Sequence, residues 1–295
     1  METTNLNTNG NRVAGADYNR ALSVAGLSYP VHGNGENYAS RHSGRAWEVK
    51  YDVSAGWEIT TPALELDENG HSEELRKGCE AISSLRPKIS SGCGLHVHVD
   101  CSDFNWKQVQ KLVALWARYE PFFFSLVPTS RQGNQYLPKL RGYDWNDAYN
   151  ADARRSYRCR GALEATTKSD FRYETENALG KYNTLRTNIW WSTGRVEFRL
   201  HSGTVSYDKI RRWVTLVTSL VGRVATSGIT TGRLAKTVRP LARPTGFGPA
   251  YVLGALGLGP GGQGNAEGEA QTLEVYEDLL AWIPQRQSRF HRRVR

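Results

Sequence analysis

Two short segments far apart in the chain constrain it most. Ser91-Gly-Cys-Gly-Leu-His-Val-His-Val-Asp100 and Arg195-Val-Glu-Phe-Arg-Leu-His-Ser-Gly-Thr204 both alternate apolar with polar residues, the pattern of a strand with one buried face. Side chains two apart on a strand share a face. His96, His98 and Asp100 therefore point one way, and Leu95, Val97 and Val99 the other. In the second segment Arg195, Glu197, Arg199 and His201 lie opposite Val196, Phe198 and Leu200. Two strands thus present imidazole, carboxylate and guanidinium on polar faces backed by apolar ones. Metal ions take the first two groups, and phosphates take the third.

The rest of the chain supplies elements around these strands. Helical spacing predicts a helix from about Asn11 to Leu27, ended by Gly26. Strands follow at Ala46–Asp52 and Gly56–Thr61, and Pro62 stops the second. Ser72 opens a helix to about Arg86, with Leu75, Cys79, Ile82 and Leu85 inward. Ser102 or Asp103 caps another to about Glu120, where Pro121 kinks or ends it. Residues 129–180 are polar, aromatic and arginine-rich with weak periodicity. A strand at about Tyr182–Trp191 pairs with the Arg195 strand through a hairpin turn at Ser192-Thr-Gly-Arg195. A clear amphipathic helix spans about Tyr207–Ala225. Gly246–Gly264 reads as a glycine- and proline-rich loop or linker, and a short helix, about Ala270–Ile283, leads into a basic tail. Strands and helices intermix without βαβ spacing, which predicts an α+β fold with a mostly antiparallel sheet.

Six motifs, in this order, resemble one family. They are Trp47-Glu-Val-Lys-Tyr-Asp52-Val-Ser54, Trp57-Glu-Ile-Thr-Thr-Pro62, Gly92-Cys-Gly-Leu-His-Val-His98, Ser130-Arg-Gln-Gly-Asn-Gln-Tyr136, Lys181-Tyr-Asn-Thr-Leu185, and Val196-Glu-Phe-Arg-Leu200 with Ser202-Gly-Thr204. The chain resembles the amidoligases, carboxylate–amine ligases that share the glutamine synthetase fold, from its start to about residue 225. The resemblance implies a curved antiparallel sheet of the glutamine synthetase catalytic-domain type, flanked by helices. Residues 1–245 would form the catalytic domain, 246–264 the loop or linker, and 265–295 the helix with its basic tail.

The activity implied is ATP-dependent joining of a carboxylate to an amine through an acyl-phosphate, assisted by Mg²⁺ or Mn²⁺. Matching residue by residue, Glu197, Glu58, Glu2 and His96 are implied as metal ligands. His96, His98, Lys181, Asn183 and Arg199 would contact nucleotide or phosphate. Arg199 and Arg131 would act on the transferring phosphoryl group. Asp52 reads as a turn cap. The family's opening strand, Gly-x-Glu-x-Glu, is expected to be missing, with Glu2 standing where its second glutamate would be and the sheet edge beside it exposed. Peptides, cell-wall-like amines, polyamines and protein side chains remain open as substrates.

Composition frames the alternatives. The chain has 295 residues, 39% of them hydrophobic, enough for a sizeable core. No run of about 18 apolar residues is present, and the start lacks a signal-peptide pattern, so the expectation is a cytoplasmic protein with no membrane partner. Cys79, Cys93, Cys101 and Cys159 read as free thiols, because residues three apart on a strand face opposite ways and Cys93 cannot join His96 in a zinc site without a bend. The net charge of +9, densest in Arg286–Arg295, allows non-specific nucleic-acid binding through the tail. Other readings are a catalytically degenerate binding module of the same fold and a metal-dependent hydrolase built on His96 and His98.

Overall fold

The computed structural model describes residues 1–33, 44–65, 70–132, 159–226, 248–259 and 266–291. It is mixed α+β, and divides into two compact units, Met1–Leu95 with His201–Trp213, and His96–Leu200 with Val214–Arg295.

The first unit holds a four-stranded sheet in the order β1-β4-β3-β2, with β1 Glu2–Thr3, β2 Val31–Gly33, β3 Trp47–Asp52 and β4 Gly56–Thr60. β3 pairs antiparallel with β4, and β2 runs parallel to β3. The β3–β4 turn is closed by Asp52, whose carboxylate accepts from the Ser54 N–H at 2.7 Å and its hydroxyl at 2.6 Å. Helices α1 Gly15–Ser23 and α2 His71–Ser84 pack within this unit. Gly78 lies against the Trp47 ring so closely that a Cβ there would sit 2.2 Å from a ring carbon. Trp47, Ile59, Tyr18, Leu22 and Ile82 are fully buried and form the core. Glu74, also buried, accepts from the Trp47 indole at 2.8 Å and the Ser28 N–H at 2.7 Å, which ties α2 to the sheet and to the segment before it.

Glu2 and Thr3 of β1 pair antiparallel with Glu58 and Trp57 of β4. Met1 N–H donates to Ile59 O at 2.8 Å, and Glu2 N–H donates to Gly94 O at 3.1 Å. β1 therefore has backbone partners on both sides, and the edge of β4 is covered. Burial of Met1 and Thr3 holds it there.

The second unit holds a three-stranded antiparallel sheet, β5 Val97–Asp100, β7 Arg195–Phe198 and β6 Leu185–Arg186, in the order β5-β7-β6. The long helix α3 Trp106–Ser125 lies in this unit, capped by Asn105, whose side chain accepts from Gln108 N–H. Trp116 of α3 stacks on Phe123 at 4.5 Å and meets Phe198 of β7 edge-on at 5.0 Å. Its indole donates to Thr184 Oγ1 at 2.9 Å, and Thr184 donates to Glu120 at 2.6 Å, a buried polar chain from helix to strand.

Pro121 neither ends nor stops α3, which runs on to Ser125 because Phe122, Phe123 and Phe124 are all buried. The expected hairpin turn is instead a helical turn, α6 Trp190–Thr193, closed by Gly194 in the left-handed region. The irregular stretch contains α4 Arg160–Glu164 and α5 Lys168–Ala178; residues 133–158, with part of the Ser130–Tyr136 motif, lie outside the described residues. Helix α7 spans Tyr207–Thr226. The glycine-rich stretch is not all loop, since α8 Pro249–Ala255 lies within it, and the last helix, α9 Ala266–His291, is longer at both ends than its spacing predicts.

Candidate active site

The β5–β7 register decides the site of the second unit. His98 lies directly across from Glu197, and Arg186 of β6 lies across from Glu197 on its other side. The apolar alternate residues Val196 and Phe198 are buried, so the polar set is held on the opposite face.

Glu197, only 2% exposed, is the centre of this set. Arg199 Nη1 donates to its Oε1, and Arg186 Nη1 donates to Oε2 at 3.1 Å. His96 Nδ1 stands 3.4 Å and His98 Nε2 3.9 Å from Oε1. The side chains of Arg186 and His98 are 26% and 41% exposed. Burial, and after it the positive charge of Arg199, hold the His96 imidazole well below its ordinary range, so it is neutral at pH 7. Among the described residues two guanidinium groups bond this one carboxylate. The Nε–H of Arg199 is buried and finds no acceptor among the described residues.

Other expected residues take different places. Arg131 is buried, and donates through Nε to Leu200 O at 3.2 Å and through Nη2 to Arg199 O at 2.8 Å. It fixes the backbone that carries Arg199. Asn183 is buried too, and its amide donates to Ala178 O at 2.9 Å and Gly180 O at 3.1 Å, closing the turn after α5. Lys181 is exposed, with its ammonium 5.9 Å from the centre of the Tyr182 ring. Arg186 was not among the expected residues.

In the first unit Glu2 and Glu58 stand side by side in register, with Lys50 across from Glu58 on the far side. Lys50 pairs with Glu48 on its own strand at 2.6 Å. Burial raises the Glu2 carboxyl above its ordinary range, and the neighbouring Glu58 adds to this, against the Gly94 N–H that Glu2 accepts. Two adjacent carboxylates fit a hard cation, which commonly takes one or two protein carboxylates and completes its shell with phosphate and water. Both Glu197 oxygens accept from guanidinium groups. Among the described residues no group of three or more His, Cys, Asp or Glu side chains could hold a metal ion by itself. All four cysteines are buried.

The protein is mixed α+β with open sheets, and the polar strand faces carry buried, mutually paired ionic groups. Residues 26–221 match the family model described as "Putative amidoligase enzyme", and the chain belongs to that family. No curated protein and no solved structure matches the chain. Among the described residues no helix is long and apolar enough to cross a membrane.

Proposed function

We propose that the chain is an ATP-dependent ligase joining a carboxylate to an amine, on sheets of the glutamine synthetase catalytic-domain type within residues 1–245. The observation that carries this reading is the cluster of Arg186, Arg199, His96 and His98 around Glu197, in a member of the amidoligase family. Amide formation from a free acid is uphill in water, so the acid must be activated. A carboxylate oxygen of the substrate attacks the terminal phosphorus of ATP, and ADP leaves. The amine nitrogen then attacks the acyl carbon, loses a proton, and expels phosphate.

Phosphoryl transfer spreads negative charge over the moving oxygens, and guanidinium groups in a partly dry site stabilise it. Arg199 and Arg186 are the donors placed for that, and Arg131 holds the backbone of Arg199. In the first unit, Glu2 and Glu58 are the residues that would hold Mg²⁺ or Mn²⁺. ATP chemistry of this kind belongs in the cytoplasm. One observation favours a second reading, a degenerate binding module: the lack, among the described residues, of any three-donor metal group.

Hydroxylamine separates the two readings without knowledge of the natural amine, because it traps acyl-phosphates as hydroxamates. With ATP, Mg²⁺, hydroxylamine and a panel of glutamate and glutamyl or C-terminal peptides, the ligase releases ADP and hydroxamate in equal amounts. Arg199→Gln should lower that rate about 100-fold or more. A folded protein that releases no ADP across the panel supports the binding module.

A further inference from the structure

We propose that the β5–β7 cluster is a metal-independent oxyanion pocket in which Glu197 is the built-in counter-ion, not a metal ligand. This deepens the ligase reading and rests on it for the identity of the oxyanion.

Four features lead here. Both Glu197 oxygens accept from guanidinium groups, Arg199 on one and Arg186 on the other. A carboxylate so engaged must give up charged donors to bind a cation, and each such hydrogen bond is among the strong ones. The groups nearest to it are nitrogens, all able to donate in at least one protonation state, and Mg²⁺ prefers oxygen. Among the described residues two guanidinium groups face this one carboxylate, and Arg199 keeps a buried Nε–H without an acceptor. Arg186 meanwhile is braced by Asn188, whose Oδ1 accepts from its Nε at 3.0 Å. The guanidinium groups are thus fixed before any ligand arrives, which is the arrangement that recognises a tetrahedral or planar oxyanion by paired N–H donors. An entering oxyanion takes the Arg199 Nε–H and the outer edge of Arg186, while Glu197 stays behind them and keeps the two arginines from repelling each other.

The role of Arg186 follows. It sets the affinity for the oxyanion from the side of β6, a position that neither the Glu-Phe-Arg strand nor the His-x-His strand encodes.

The test is calorimetric titration of the full chain in EDTA with inorganic pyrophosphate, and separately with glutarate. The first reports a phosphate pocket and the second a substrate-carboxylate pocket. Binding of either without metal is expected. Arg186→Gln should weaken it about tenfold or more, and Glu197→Gln should keep it or tighten it about threefold. Absence of binding in EDTA, with binding restored by Mg²⁺ and lost in Glu197→Gln, overturns the proposal while leaving the ligase reading intact. Metal-free binding in a protein that forms no hydroxamate does the reverse. If Glu197→Gln fails to fold, Arg186→Gln decides alone: metal-free binding indifferent to that change overturns the pocket.

Discussion

His96 and Glu197 show how one strand pair makes a charged group stable in a buried place. Glu197 is tolerated at 2% exposure because four nitrogens surround it, and His96 stays neutral because burial and Arg199 oppose its protonation. The His96 shift has a consequence for stability. Free imidazole titrates near 6.5, whereas folded His96 takes its proton well below that. Above pH 6.5 neither state is charged there and the group contributes no pH dependence. Below it the unfolded chain binds a proton that the folded chain refuses, so stability is lost as the pH falls. Urea denaturation at pH 7.5 and 5.5 should show the parent losing about 1 kcal/mol more than His96→Gln over that interval. Equal losses would mean that His96 titrates normally when folded. At this scale the sequence was legible in part. His96, His98 and Arg199 all stand near Glu197, on the polar faces that alternation along the strands gives them. Arg186 was hidden by register. A turn over Ser192–Arg195 would set Glu197 opposite Trp190; the helical turn Trp190–Thr193 shifts the pairing by four residues and sets Arg186 there instead. Strand periodicity is unchanged by an even shift, so nothing in the pattern distinguishes the two.

Among the elements, helices were read best where an apolar stripe had to be buried, as in α2, where Leu75, Cys79 and Ile82 all face the core. Ends were read worst, because they depend on caps and tertiary contacts: α3 runs through Pro121 on the strength of three buried phenylalanines, and α2 starts from Gly70 in a left-handed conformation rather than from Ser72. The close approach of α2 to β3 was not legible at all, since a glycine within a helix reads simply as weak propensity. It makes a prediction opposed to that propensity. Glycine to alanine in a helix ordinarily adds about 1 kcal/mol of stability. At Gly78 the new methyl would meet the buried Trp47 ring, with three ring carbons within 2.9 Å and a fully buried indole that cannot swing aside. Overpacking of this kind costs about 1–3 kcal/mol. Gly78→Ala should therefore lower the midpoint of urea unfolding, measured by circular dichroism. A raised midpoint would show that α2 can move away from the sheet at little cost.

For the whole molecule, a charge of +9 states only that polyanions are attracted at low salt, and where the charge sits decides whether it is used. The cluster at Arg286–Arg295 reads in sequence as a solvated tail, yet its first member is buried. Arg286 donates through Nε to Leu126 O at 3.0 Å, packs against the Phe290 ring at 4.7 Å, and is pushed down to about 10 by burial. Gln287 adds a bond to Ser125 Oγ at 2.8 Å. These contacts tie α9 to the carboxyl-terminal end of α3, where a cation also meets the negative end of the helix dipole. Cutting the chain after Pro284 is thus not a clean removal of nucleic-acid affinity. It strips the last turn of α3 of its partners, exposes Leu126 O, and should cost about 2–4 kcal/mol, a drop of about 5 °C or more in Tm. Arg289→Glu, which reverses an exposed charge of the same segment, should leave Tm within about 1 °C and isolate the electrostatic effect. Binding of single-stranded RNA at low salt, followed by fluorescence anisotropy, should weaken in Arg289→Glu if the exposed arginines attract it. A truncated chain that melts like the parent would return Arg286 to the solvated tail that the sequence alone describes.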